Sequence, residues 1–124
     1  MASMVEGSRK THKAGVDFST LQYVAVKLSA VGIVVPAAAA TDTIIGVNMT
    51  KCKLNDSVDV FMRSGGVTCK GLSGGTINIG DAVTSNAAGA LITTVTAGNQ
   101  IVGYAQEPAV AGQVFELMTS TSKV

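Results

Sequence analysis

The chain contains one short pattern twice. Residues 44–47 (IIGV) precede a polar loop and then residues 58–62 (VDVFM), and residues 101–104 (IVGY) precede a loop and then residues 114–118 (VFELM). With one extra residue allowed in the first loop, these segments align as two copies of one unit. Each apolar run is rich in Val and Ile, which predicts β-strands on either side of a turn. The duplication therefore predicts an all-β scaffold built from hairpins.

The rest of the chain fits the same fold class. Short β-forming runs recur about every 8–12 residues with glycine-containing turns between them, as in small barrels and sandwiches. We therefore predict a small all-β barrel or sandwich built from hairpins, with little helix. Residues 63–66 (RSGG) predict a hairpin turn from the strand at 58–62 into the next strand. We assign structural roles at turns and strand breaks to Gly46, Gly103, Gly80 and its neighbour Asp81.

The N-terminal residues differ from this pattern. Residues 1–16 have no apolar periodicity and carry Arg9, Lys10 and Lys13 close together. We predict an extended N-terminal arm over 1–16 and a β-domain over 17–124. Two alternatives remain for the arm: a loose terminus, or a segment that becomes ordered on a partner.

Composition limits the possible partners. Only 14% of the residues are charged while 47% are apolar, against about 25% charged in an average protein. A domain with so few charges is expected to bury part of its surface against other chains. The net charge of +1 argues against nucleic acid as the main ligand. The longest apolar stretch, residues 31–40, is too short and too interrupted for a membrane span, and no secretory signal is visible, so we expect the protein to stay in the cytoplasm where it is made.

Few residues could support catalysis or metal binding. His12 is the only histidine and lies in the predicted arm. A catalytic dyad with Cys52 or Cys69 would need a folded cleft that brings the two side chains together, and an arm does not supply one. Two cysteines and one distant histidine do not make a zinc site, which takes about four ligands. We expect two free thiols rather than a disulfide.

The carboxylates give no better site. Asp56 and Asp81 occupy turn contexts, where Asp bonds its own backbone, and Asp59 alternates with apolar neighbours. We therefore predict no enzyme activity, no cofactor, no metal and no small-molecule substrate.

The order of motifs resembles a known family. Residues 23–26 (YVAV), 44–47 (IIGV), 77–84 (INIGDAVT) and 101–105 (IVGYA) follow one another as in the head-decoration, or capsid cement, proteins of tailed bacteriophages, the group related to the lambda decoration protein. The likeness covers about residues 21–118, and it implies a β-tulip-like form of the predicted barrel or sandwich, in a protein made in the cytoplasm of the host. It implies a homotrimer on the outer surface of an icosahedral head, part of the virion, that binds the major capsid protein and stabilises contacts between its subunits.

The resemblance also gives the arm a role, because an N-terminal segment that reaches onto the capsid is a feature of that family. The residues that would contact the capsid are Met4, Val5, Arg9, Lys10, Thr11, His12 and Lys13.

Two other functions remain open. One is a carbohydrate- or receptor-binding β-module of a phage fibre or spike, although the absence of Trp weakens it because sugars stack on exposed aromatic rings. The other is a small hydrolase that uses Cys or His.

Overall fold

The computed structural model describes residues 9–62, 68–96 and 98–120. Those residues contain strands and turns but no helix, which confirms the all-β class. The described ranges contain ten strands: β1 (Arg9–Ala14), β2 (Ala25–Ala30), β3 (Ile33–Pro36), β4 (Ile44–Asn48), β5 (Ser57–Met62), β6 (Thr68–Leu72), β7 (Ala82–Ser85), β8 (Leu91–Thr93), β9 (Gly103–Ala105) and β10 (Val114–Thr119).

The first five strands form a closed barrel, which we call unit one. Its strand order is β1-β3-β2-β4-β5. β1 closes it by pairing with β5 in antiparallel fashion and with β3 in parallel fashion, so that Lys13 lies opposite both Ser57 and Ile33. Closure leaves the unit without a free strand edge.

The last five strands form a second sheet, unit two, in the order β6-β10-β9-β7-β8. Its two outer strands approach each other through a single parallel bridge between Ser73 and Leu91. When β6–β10 are matched in order with β1–β5, the neighbours in unit two are those of unit one. The chain is therefore a tandem duplication of one five-stranded unit.

Strand register corrects the alignment that we expected from the sequence. Gly46 lies opposite Met62 in unit one, and Gly103 lies opposite Thr119 in unit two. Both members of the second pair are 57 positions beyond their counterparts. The loops are therefore equal in length, and the extra residue that we allowed in the first loop does not exist. A one-residue shift matters because it moves every side chain of a strand to the opposite face.

Backbone conformation repeats at the same spacing. Three pairs of residues 57 positions apart have positive φ angles, a region that favours glycine and, less strongly, Asn. These pairs are Tyr23 (63°) with Gly80 (86°), Gly32 (71°) with Gly89 (86°), and Asn55 (70°) with Gly112 (85°).

Hydrogen bonds of the loops repeat as well. The Met49 amide donates to the Asp59 carbonyl at 2.7 Å, and the Gln106 amide donates to the Glu116 carbonyl at 2.8 Å. The same two strand residues have their own amides bonded by a loop side chain: Asp59 N donates to Thr50 Oγ1, and Glu116 N to Glu107 Oε1. The duplication thus extends to individual contacts.

Each unit has an apolar interior. Equivalent side chains fill both, and at three of four matched positions the residue of unit two is the larger one. All four pairs are fully buried: Val26 with Val83, Val34 with Leu91, Val58 with Phe115, and Val60 with Leu117.

Two expectations from the sequence need correction. We assigned residues 1–16 to an arm, but residues 9–14 form strand β1 inside the barrel because the alternating side chains of His12 and Ala14 fill its interior. We also predicted a hairpin turn at 63–66, which lies outside the described residues. The strands on either side of it do not pair, since β5 pairs with β1 and β4 whereas β6 pairs with β10.

Candidate assembly interface

The predicted capsid-contacting residues are divided by the fold. Met4 and Val5 lie outside the described residues, as do the side chains of Arg9 and Lys10, whose backbones pair with Phe61 and Val60 of β5. The remaining three alternate along β1.

Thr11 and Lys13 face outward, whereas His12 is only 7% exposed. The Thr11 hydroxyl donates to Asp59 Oδ1 at 2.8 Å. A partner can therefore touch Thr11 and Lys13 on the closed barrel, but it cannot reach His12.

The predicted turn residues lie at a turn and at two close backbone approaches. Gly80 has a φ of 86°. The Asp81 carboxylate accepts hydrogen bonds from Asn78 N at 2.9 Å and Thr93 Oγ1 at 3.0 Å. Both bonds go to Oδ2, so the carboxylate of Asp81 supports the turn, as the sequence predicted. A Cβ added at Gly46 or Gly103 would overlap a carbonyl oxygen of the neighbouring strand.

The two thiols are free and lie in different cores. Cys52 packs against the buried residues inside unit one. Cys69 belongs to the second core cluster, which consists of buried apolar residues of unit two together with Ala25, Ala37, Ile44 and Val47 of unit one. Burial raises the pKa of Cys69 to about 12. Burial is the main cause that raises the pKa of Cys52, and the negative charges of Asp56 and Asp17 raise it further. Neither thiol has the depressed pKa of a nucleophile.

The described part of the chain contains neither a cluster of metal ligands nor a membrane-spanning helix. Within residues 9–62, 68–96 and 98–120, no group of three or more His, Cys, Asp or Glu side chains is placed to hold a metal ion. The same residues include no helix long and apolar enough to cross a membrane.

An open groove of about 340 Å³ runs between the two units. Tyr23 and Phe61 contribute its aromatic rings, and the cross-strand pair Lys70 and Glu116 contributes its charges. Both rings also pack against the second core cluster, so the groove offers little free aromatic surface.

The most distinctive surface is a cross-strand apolar row on unit two. We call Ala82, Tyr104 and Met118 the second-unit face, because register places each directly opposite the next across β7, β9 and β10. Tyr104 is 39% exposed and Met118 is 38% exposed.

The corresponding row on unit one is Ala25, Val47 and Phe61, which we call the first-unit face. Ala25 and Val47 are at most 1% exposed, and all three belong to, or pack against, the cluster that fills unit two. The same face is thus covered in one unit and open in the other.

Comparison with known proteins identifies the family. The family model described as phage cement protein matches residues 17–119. The chain belongs to the phage cement protein family. This confirms the resemblance seen in the sequence. The cement protein is therefore a structural protein of phage heads, and its family is one that associates with the capsid. No curated protein sequence matches the chain.

A solved structure has the same fold. The structure described as head fiber gp8.5 N base in bacteriophage phi29 is 23% identical to the cement protein, with a TM-score of 0.69. The match covers 94% of this chain and 96% of that chain, so it spans both units. At this identity the likeness establishes the fold alone.

Sequence reasoning missed the second-unit face. The signal was present as seven identities between residues 25–46 and residues 82–103, compared without gaps at 57 positions, which include Ala25 with Ala82 and Gly46 with Gly103. What the sequence does not show is which of the two equivalent faces the molecule covers itself.

Proposed function

We propose that this cement protein is a homotrimeric subunit that binds the major capsid protein on the outer surface of an icosahedral head and stabilises contacts between neighbouring capsid subunits. The observation that carries the proposal is the family match together with the open second-unit face. An apolar row of this kind is typical of surfaces that associate. Because only 14% of the residues are charged, we expect apolar contacts rather than ion pairs to provide most of the binding.

Two measurements test the proposal together. Light scattering of the purified protein gives its oligomeric state, and sedimentation with expanded heads that lack it gives binding. We expect trimers and saturable binding that raises the temperature at which heads rupture. A strict monomer at high concentration that also fails to bind heads contradicts the proposal.

The N-terminal residues are the second part of the proposal. Thr11 and Lys13 point outward from β1, so both are available to a capsid subunit while the barrel stays closed. Met4 and Val5, which precede β1 in the chain and lie outside the described residues, complete the proposed contact. Deletion of residues 1–8 keeps all of β1, and we expect it to weaken head binding without changing the fold. Unchanged affinity of this variant removes the arm from the proposal.

A carbohydrate-binding module is the second candidate, because Tyr23 and Phe61 lie together in a groove with Lys70 and Glu116. Sugar stacking needs an open ring face, and both rings pack against the core. A glycan array without hits eliminates this candidate.

A further inference from the structure

The two units contact each other through different surfaces. Unit one contributes the first-unit face and the backbone beside it, and unit two contributes the Gly89 turn, residues 86–89. The Ala25 amide donates to the Gly89 carbonyl at 2.7 Å, and the Leu72 amide donates to the Tyr23 carbonyl at 2.7 Å. The segment 23–25 therefore lies between β6 and the Gly89 turn and bonds to both. An interface built from two different surfaces is heterologous.

The Gly89 turn fits closely against unit one. A Cβ built at Gly89 would lie 3.1 Å from the Ala25 carbonyl oxygen, 3.3 Å from Pro36 Cβ and 3.4 Å from Val24 Cβ. Gly89 also has a φ of 86°. Glycine thus provides both the close approach and the backbone conformation that this contact needs.

Each half of this interface has a second, uncovered copy in the same molecule. The equivalent of the Gly89 turn is the Gly32 turn, residues 29–32. Val31 at its tip is 100% exposed and Leu28 beside it is 48% exposed. A Cβ at Gly32 would meet nothing within 4 Å. The equivalent of the first-unit face is the open second-unit face.

We propose that copies of the chain associate head to tail, with the Gly32 turn of one copy seated beside the second-unit face of the next. The inference rests on the self-association in the proposed function and names the surfaces that perform it. The occupant is a second copy because the molecule already joins the same two surfaces internally. Heterologous contacts close into a ring when the rotation between subunits allows it.

The exchange of backbone hydrogen bonds is small. Within unit one, the Lys13 amide donates to the Gly32 carbonyl at 2.8 Å. Strand β6 is offset from β1 by 59 positions rather than 57, because Leu72 lies opposite Val114 as Lys13 lies opposite Ser57. The equivalents of Lys13 N and Gly32 O are therefore Leu72 N and Gly89 O, which instead bond to Tyr23 and Ala25. Association therefore opens one bond in unit one and forms two across the new interface, with Gly80 O and Ala82 N of the neighbouring copy as partners.

Further contacts keep unit one intact during this exchange. The Gly15 amide donates to the Val34 carbonyl at 2.7 Å, just as the Gly74 amide donates to the Leu91 carbonyl at 2.8 Å in unit two. In unit two the bond between Gly74 and Leu91 is formed even though Leu72 N and Gly89 O do not bond to each other. We therefore expect β1 and β3 to stay joined when the Gly32 turn engages a partner.

A disulfide trap tests the contact. Inside one molecule, a Cβ built at Gly89 lies 3.3 Å from Pro36 Cβ. This distance is close to the separation of about 3.8 Å between the two Cβ atoms of a disulfide. Its intermolecular equivalent joins Gly32 of one copy to Thr93 of the next. The variant Gly32→Cys with Thr93→Cys, in a Cys52→Ala background, is oxidised and separated on a non-reducing denaturing gel.

We expect covalent trimers from the double variant and monomers from either single variant, because a single new thiol has no partner at this interface. Trimers in solution that do not cross-link overturn the head-to-tail contact and leave the proposed function standing. A ladder of longer chains supports the contact but contradicts the trimer. A monomer in solution overturns both.

A charge variant keeps the test valid where the new cysteines disturb folding. Tyr104→Glu with Met118→Glu places two carboxylates in the second-unit face, and we expect the trimer dissociation constant to rise by at least about tenfold. Leu54→Glu with Val110→Glu is the matched control, since these residues are 53% and 54% exposed in loops outside the face. Equal trimer stability in the two double variants overturns the inference.

Discussion

Gly46 and Gly103 occupy one and the same position in the two units, and each lies against a carbonyl oxygen of the neighbouring strand. The oxygen is that of Phe61 in unit one and of Met118 in unit two. Those two residues are themselves 57 positions apart. The spacing shows that the duplicated unit has kept a close approach between two strands that only glycine permits.

Alanine at either glycine should therefore destabilise the protein. An added Cβ would overlap backbone, which cannot move aside as a flexible side chain can. We expect Gly46→Ala and Gly103→Ala each to lower the free energy of unfolding by about 3 kcal/mol or more. Urea unfolding followed by circular dichroism measures the change.

Gly75→Ala is the control for this series. A Cβ at Gly75 has Ile92 Cγ2 at 4.0 Å as its nearest neighbour, and its φ is not positive. We expect a change within about 0.5 kcal/mol, with stabilisation from the reduced entropy of the unfolded chain. Equal effects at Gly46 and Gly75 would contradict the close approach.

The turn before the last strand of each unit gives a second prediction. Asn55 and Gly112 have φ angles of 70° and 85°. Asn55→Gly should keep or slightly raise stability, whereas Gly112→Val should lower it by about 1–2 kcal/mol because a β-branched residue is strained there. Thermal unfolding of the two variants checks this order, and the reverse order would refute it.

The sequence predicted the local structure better than its connections. Runs such as 44–47 and 58–62 are visible because β-branched residues and glycines mark strands and turns locally. The pairing of β6 with β10 is not visible in the sequence. Its paired residues are about 46 positions apart, and several other strands have a similar composition and could pair with β6 equally well. The predicted hairpin after β5 failed for that reason.

The terminal strand shows a different limit. His12 and Lys13 are polar enough to predict an arm, and the sequence has no sign that β5 leaves an edge for them to close. His12 is buried because it lies opposite Val58 of β5. This pairing depends on the tertiary structure and cannot be seen in the local sequence. The face of unit two was missed because equivalent residues have different burial only once the two units are packed together.

Thiol accessibility gives a third prediction. Because burial raises the pKa of Cys69 to about 12, a disulfide reagent at mildly alkaline pH should modify it at least about 100-fold more slowly in the folded protein than in the unfolded one. Partly buried Cys52 should react first. The Cys52→Ala variant isolates Cys69, and rapid reaction of that variant would show that the core is open.

Truncation of β1 gives a fourth prediction. Deletion of residues 1–8 leaves the pairing of β1 with β5 and β3 intact, so the unfolding midpoint should stay unchanged. Deletion of residues 1–14 opens both strand edges and uncovers the barrel interior, which favours aggregation. We expect loss of cooperative unfolding in the longer deletion, measured by calorimetry. Identical transitions in both truncated proteins would show that β1 is dispensable.

The acid sensitivity of unit one should depend on Asp42. Its Oδ2 accepts hydrogen bonds from Ala38 N at 2.9 Å, Lys27 Nζ at 3.0 Å and Ala39 N at 3.1 Å. These contacts, with the Ala38 amide first, lower the pKa of Asp42 below its usual 3.8. A depressed folded pKa means that the carboxylate contributes stability above the unfolded pKa, and that this contribution is lost as the pH falls from 3.8 through the folded value.

Asp42→Asn should therefore cost stability at neutral pH by about 0.5–1 kcal/mol, the range of an exposed ion pair, and its deficit should shrink at pH values below 3.8. Lys27→Met removes the ion pair but keeps both amide donors, so it should reproduce only part of the effect. Denaturant unfolding of the three proteins across this pH range gives the comparison. If Lys27→Met flattens the acid dependence as fully as Asp42→Asn does, the ammonium group and not the Ala38 amide holds the carboxylate ionised.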